Sequence, residues 1–393
     1  MNLWLSIICV LAFSTIIYGT LSPPTFKQQR NRTKVENKKH PVHLNVQDRF
    51  LVVQDPKSSD ILKEAGLYCK DTKIRHFTGE ILGYITPWNS DGLETAKIFH
   101  GKFTVLSPVW LTLSSGNTSK FHITTHDIRK KWLKQIKAFN DHNHTVRILP
   151  RVLFENLLPD DVVSLNVDNQ RKSQLVSALV EIAKTFYFDG FVLEMWNQLL
   201  FTGVKIRLVV DLIKFLSKSL KNENLEVILA IPPARGSTPE TFSRVYFNEL
   251  APHIDYFSLM TYDFSRVDRP GPNSPIEWVQ ECVEKLVPDN DDSRRSQILM
   301  GLNFYGNDYT PEGGGPIVGW QYLKILETFK GKILYDERSE EHFFEYRSSV
   351  GRDYVFYPTL YSINRRIDLA RKLGTGLSIW ELGQGLNYFY DLF

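Results

Sequence analysis

The chain has 393 residues, of which 42% are hydrophobic and 23% charged, and its formal net charge is +3. That length accommodates one large α/β domain with appendages, and the composition is that of a globular chain rather than a disordered or fibrous one. So small a net charge gives no footing for a nucleic-acid partner, and three cysteines cannot supply a disulfide framework.

Leu3 to Tyr18 is an uncharged apolar run, short for a membrane span and followed by the small residues Gly19 and Ser22. The pattern predicts a secretory signal peptide over residues 1–22, and no membrane span in the mature protein. No Lys or Arg precedes the run, and positive charges follow it, an arrangement that favours a retained anchor instead. Lys27, Arg30, Arg32, Lys34, Lys38 and Lys39 face a single Glu36 and read as a solvated linker, part of an extension over residues 23–78. The sequons at Asn31, Asn117 and Asn143 fit a glycosylated lumenal chain. Cys9 would leave with the signal. Cys282 falls in a helical pattern and reads as a core residue, and nothing in the sequence supports a bridge from it to Cys69.

Residues 79–393 carry eight apolar, β-branched runs: 80–88, 103–113, 146–154, 190–196, 226–232, 256–264, 298–305 and 376–382. Most are continuously apolar rather than alternating, as parallel strands covered on both faces are. Helical periodicity fills the intervals at 127–139, 170–186, 204–221, 238–249 and 275–286. Ser237-Thr238-Pro239-Glu240 and Ser274-Pro275-Ile276-Glu277 have the form of capping boxes. Strands alternating with helices over this length predict an α/β fold, a (β/α)8 TIM barrel, with a doubly wound open sheet as the alternative on pattern alone. The stretch between the seventh and eighth strands exceeds one crossover. It predicts a small α+β insertion over 310–361, with strands at 332–335 and 354–358 and a helix at 362–373 leading to strand eight.

The fourth run, Asp189-Gly190-Phe191-Val192-Leu193-Glu194-Met195-Trp196, resembles the strand-four signature D-G-x-D-x-D-x-E of the family 18 glycoside hydrolases, the chitinase family. Gly83-Tyr84-Ile85-Thr86-Pro87-Trp88 is similar to that family's first strand, and Met260-Thr261-Tyr262-Asp263-Phe264 to its sixth. Met300-Gly301-Leu302-Asn303-Phe304-Tyr305-Gly306 and Gly376-Leu377-Ser378-Ile379-Trp380-Glu381 resemble the seventh and eighth. The resemblance covers roughly residues 80 to 390 in the right order. It implies a sugar subsite at the barrel centre, bordered by Tyr262 and Asp263 and floored by Trp380. A rigid aromatic plane suits the apolar face of a sugar ring.

In the same alignment Val192 and Glu194 fall on the signature's inner Asp positions, and Trp196 falls on the general acid. A Trp has only a non-acidic N–H and cannot protonate a glycosidic oxygen. In this family the substrate's own acetamido oxygen attacks and the protein supplies mainly the acid, so the resemblance implies a chitinase-like lectin without catalytic residues. The expected ligand contacts are Trp380, Tyr262, Asp263, Trp196, Glu194, Trp88, Tyr84 and Tyr305, with no metal or cofactor. Tyr305 and Trp110 are equally readable as barrel filling. The rival reading is an active hydrolase using Glu194, taken to share a face with Trp196, in a register shifted by two residues, or using Glu155 at the rim. The resemblance further implies oligosaccharide ligands of the N-acetylglucosamine type, with lipopolysaccharide as a second class. It also implies a stabilin-type scavenger receptor as partner, a role in innate immune sensing or scavenging, and a secreted, lysosomal or late endosomal location.

Overall fold

The computed structural model describes residues 40–115, 121–142, 144–236, 241–349 and 351–393. The signal segment, the basic stretch to Lys39, the three sequon asparagines and the start signal at Ser237 to Glu240 lie outside the described residues. No helix among the described residues is long and apolar enough to cross a membrane.

The eight predicted runs form a closed parallel barrel. Its strands are β1 (Ile81–Ile85), β2 (Val105–Pro108, continued by Leu111–Ser115), β3 (Arg147–Ile148, continued by Arg151–Phe154) and β4 (Gly190–Glu194). The ring goes on through β5 (Glu226–Ile231), β6 (Tyr256–Leu259), β7 (Ile298–Asn303) and β8 (Gly376–Trp380). It closes where Leu377 of β8 pairs with Ile81 of β1. β2 and β3 are each broken in the middle and pair segment by segment, Val105 with Arg147 and Leu111 with Val152. The breaks fall at residues 109–110, just after Pro108, and at 149–150, which includes Pro150; neither proline has an N–H to give to a ladder.

Alternation along the strands sorts the apolar residues into two layers. Leu82, Val105, Val192, Ile228 and Leu299 fill the barrel interior. Ile81, Leu106, Leu193, Leu229 and Met300 point outward into the larger core beneath the helices. Those helices include Lys130–Ala138, Asn169–Phe186, Ile206–Lys221, Arg244–Leu250, Ile276–Leu286 and Leu360–Leu373.

The expected capping box at Ser274 does not form. The helix begins at Ile276 with Pro275 at its N-cap and no side-chain cap. The Ser274 hydroxyl donates to the Thr261 carbonyl at 2.6 Å instead, because both are buried beside β6 and the carbonyl needs a donor there.

After β7 the chain forms a five-stranded antiparallel sheet ordered Gly315–Ile317, Gly306–Tyr309, Gly351–Phe356, Glu341–Ser348 and Leu334–Asp336, with the helix Gly319–Thr328. A buried ion pair fastens this sheet to the rest. Glu341 lies 3.2 Å from Arg366 and accepts from the backbone N–H groups of Asn273 and Ser274 at 2.9 and 2.5 Å. The loop after β6, which carries Asp263, is thereby held to the sheet above it.

At the N-terminal side, His40–Val42 pairs in parallel with Leu67–Cys69. Arg49 reaches Glu64 at 2.7 Å and Asp391 at 3.2 Å, and the Cys69 N–H donates to Asp391 at 2.8 Å. Cys69 and Cys282 are both free thiols.

Candidate functional site

The signature residues Asp189 and Gly190 open β4 and serve its construction. The Asp189 carboxylate accepts from the Ile148 N–H at 2.8 Å, tying β4 to β3. Gly190 sits where a Cβ would lie 2.0 Å from the Glu226 carbonyl oxygen, so only glycine admits the close approach of β5. That contact also fixes the register. Gly190 pairs with Glu226, and Glu194 with Leu153, with no two-residue shift.

Val192 points into the barrel interior, and Glu194 follows it on the same face at the strand's C-terminal end. Glu194 is buried, and both its oxygens accept hydrogen bonds, one from Arg151 Nη1 at 2.8 Å and one from the Gln198 amide at 3.1 Å. The Arg151 guanidinium lies over the Trp380 ring, 5.7 Å from its centroid. Arg151 escaped the sequence reading, although a cation inside the apolar run Ile148-Leu149-Pro150-Arg151-Val152-Leu153 was a signal.

Around Trp380 the expected aromatics converge. Tyr84 is 5.1 Å away between ring centroids, and Tyr262 lies 6.5 Å away at an interplanar angle of 30°. The Tyr84 hydroxyl donates to Ser258 at 2.8 Å, and Trp88 packs half-buried against the same cluster. Burial pushes the Tyr84 and Tyr262 hydroxyls above the usual phenol range, and the nearby Glu194 carboxylate acts in the same direction.

Asp263 adopts a left-handed conformation with φ 58°, held by its N–H donating to the Asn273 side chain at 2.7 Å. Its carboxylate accepts from the Tyr305 hydroxyl at 2.5 Å, and its carbonyl from Arg235 at 2.6 Å. Burial raises the Asp263 carboxyl to about 6, against the opposing pull of the Tyr305 bond and of Arg235. Tyr305 is thus both barrel filling and the partner of Asp263. Trp110 packs on Trp132 in the outer core.

Two expectations about this centre are corrected. Trp196 does not share a face with Glu194. The strand ends at Glu194, Met195 turns the backbone to φ −139° and ψ −18°, and Trp196 opens the helix Trp196–Leu200. Its ring packs outward on Phe242 and Tyr246, and its N–H donates to the Thr241 carbonyl at 3.0 Å. The second correction concerns Trp380, which is not an open floor: only 2% of it is exposed, beneath Tyr84, Tyr262 and Arg151. Glu155 stands exposed beyond the end of β3.

The centre therefore gathers aromatic rings, one buried cation and two carboxylates already serving as acceptors, packed together with little exposed surface.

The family model "Glycosyl hydrolases family 18" matches residues 80–385. Among solved structures, a chitinase from Chromobacterium violaceum is similar at 16% identity and a TM-score of 0.65, over 80% of this chain and 98% of that one. The spore cortex-lytic enzyme SleL of Bacillus cereus is similar at 15% identity and a TM-score of 0.65, over 83% and 75%. A chitinase from Cycas revoluta in complex with (GlcNAc)3 is similar at 14% identity and a TM-score of 0.63, over 80% and 98%. At these identities the likeness is one of fold.

Proposed function

The chain belongs to family 18 of the glycosyl hydrolases, and we propose that its barrel binds N-acetylglucosamine-type oligosaccharides without cleaving them. The observation that carries this reading is the fate of the acid position: Trp196 fills it and turns away into the helix layer. General-acid assistance contributes roughly a hundredfold to ten-thousandfold, and Asp263, a carboxyl at the centre that burial raises to about 6, is engaged as the acceptor of the Tyr305 hydroxyl. Glu194 is engaged through both oxygens as an acceptor, which is the arrangement of a structural carboxylate rather than a proton donor. The aromatic cluster of Tyr84, Tyr262 and Trp380 supports a sugar as the ligand, as does the (GlcNAc)3 complex of the Cycas revoluta chitinase.

The test pairs two measurements on purified mature protein. Chromogenic chitobiose and chitotriose substrates should show no turnover across a broad pH range, while calorimetry with a chito-oligosaccharide series should show binding. Turnover that disappears in Glu194→Gln would install a hydrolase in place of the lectin.

The route and the partner belong to the same proposal: entry into the secretory pathway, glycosylation at Asn31, Asn117 and Asn143, delivery to the exterior or to lysosomes, and capture by a scavenger receptor. Intact-mass measurement of secreted protein should find the first 19 to 22 or so residues gone. Membrane-held material that keeps Leu3 to Tyr18 would show an anchor.

A further inference from the structure

We propose that Arg151 makes the barrel centre selective for sugars bearing a carboxylate over neutral ones, an inference that rests on the sugar-binding reading above. Arg151 is 5% exposed, and its one hydrogen bond among the described residues runs from Nη1 to Glu194. Its Nε is buried without a partner. The edge formed by Nε and Nη2 is the one that grips a carboxylate with two parallel N–H bonds. A second buried donor without an acceptor, the Trp380 indole N–H, belongs to the ring over which this guanidinium lies. The Ser107 hydroxyl, on β2 in register with Tyr84, is a third buried group without a partner. Around Arg151 and Trp380 these N–H donors lack acceptors, while the Gln198 Oε1 beside Glu194 is a buried acceptor without a donor.

The two ligand classes meet this arrangement differently. A neutral ring that stacks on the guanidinium side of Trp380 must lift Arg151 away, leaving Glu194 buried and without its cation, which is strongly unfavourable. A sugar carboxylate meets the unpartnered edge and leaves the Glu194 bond in place, the guanidinium bridging two acids with donors to spare. Asp263, the other acid at the mouth, is held by the Tyr305 hydroxyl and does not compete for Arg151.

Calorimetry with three probes tests this: a tetrasaccharide of alternating glucuronate and N-acetylglucosamine, the same tetrasaccharide with its carboxylates reduced to alcohols, and chitotetraose. The carboxylated form should bind about tenfold to a hundredfold more tightly than its reduced counterpart. In the double variant Arg151→Gln with Glu194→Gln, which leaves no buried charge unpaired, that preference should vanish while circular dichroism and melting stay close to wild type. Equal binding of the two tetrasaccharides by wild type, or a preference that survives in the folded double variant, would overturn the proposal. Binding of chitotetraose alone would overturn it and leave the sugar-binding reading standing. Binding of none of the three would remove both.

Discussion

Gly190→Ala is expected to prevent the barrel from assembling. The new methyl would lie 2.0 Å from the Glu226 carbonyl oxygen and 2.6 Å from its nitrogen, and both are backbone atoms that no rotamer change can move. Relief would require β4 and β5 to part along the register that joins Gly190 to Glu226 and Leu193 to Leu229. More than that ladder is at stake. The Glu226 side chain lies 2.6 Å from Arg147, which reaches Glu80 at 2.5 Å, so a displaced β5 also breaks the charged ring at the barrel's N-terminal end. A loss above about 4–5 kcal/mol follows, comparable with the whole stability of many domains. Soluble yield and urea unfolding measure it. A well-folded Gly190→Ala protein with the wild-type midpoint would show that the strands have slack at this contact.

The second large effect is a loss of stability as the pH rises from acid to mildly alkaline. Glu381, just past β8, is fully buried and accepts from the Thr86 N–H at 3.2 Å and the Asn89 amide at 2.9 Å. Burial outweighs these bonds and pushes its carboxyl up to about 8. In the unfolded chain the same group titrates near the ordinary glutamate value. Below that value both states hold the proton and the folded state carries no penalty. Between the two values only the folded state holds it, so each unit of rising pH destabilises the fold by about 1.4 kcal/mol. Above about 8 the loss levels off, at roughly 5 kcal/mol. Asp263, raised to about 6, adds to the decline at its lower end. Urea unfolding at pH 5 and pH 8 should show the drop, and Glu381→Gln should flatten it even at some cost in stability at pH 5. A variant with an undiminished slope would place the titration elsewhere.

The barrel was legible because its strands are continuously apolar and bounded by helical periodicity, a pattern that reports burial on both faces. The strand-four signature was legible only in part, for a physical reason. Asp189 and Gly190 persist because the barrel needs a backbone acceptor and a missing Cβ at that point, whatever the chemistry. Extending strand alternation one step too far put Trp196 on the inner face, whereas the helix after Glu194 rotates it outward. Arg151 was overlooked because its partner lies 43 residues away on the next strand, a pairing no local pattern encodes. The strands Gly306–Tyr309 and Gly315–Ile317 escaped for another reason: they are short, rich in polar residues and glycine, and stabilised by their neighbours in the sheet rather than by their own composition.

The tie between Arg49 and Asp391 also dictates an order of events during synthesis. Residues 342 positions apart must meet before this bridge exists, and Cys69 waits on the same carboxylate. A chain emerging from the ribosome can pair β1 with β2 early, but residues 40–70 have no complete docking surface until Asp391 has left the exit tunnel. The segment made just before the barrel is thus among the last to be locked, and each nascent chain passes through an interval in which its early strands are closed by nothing at β8.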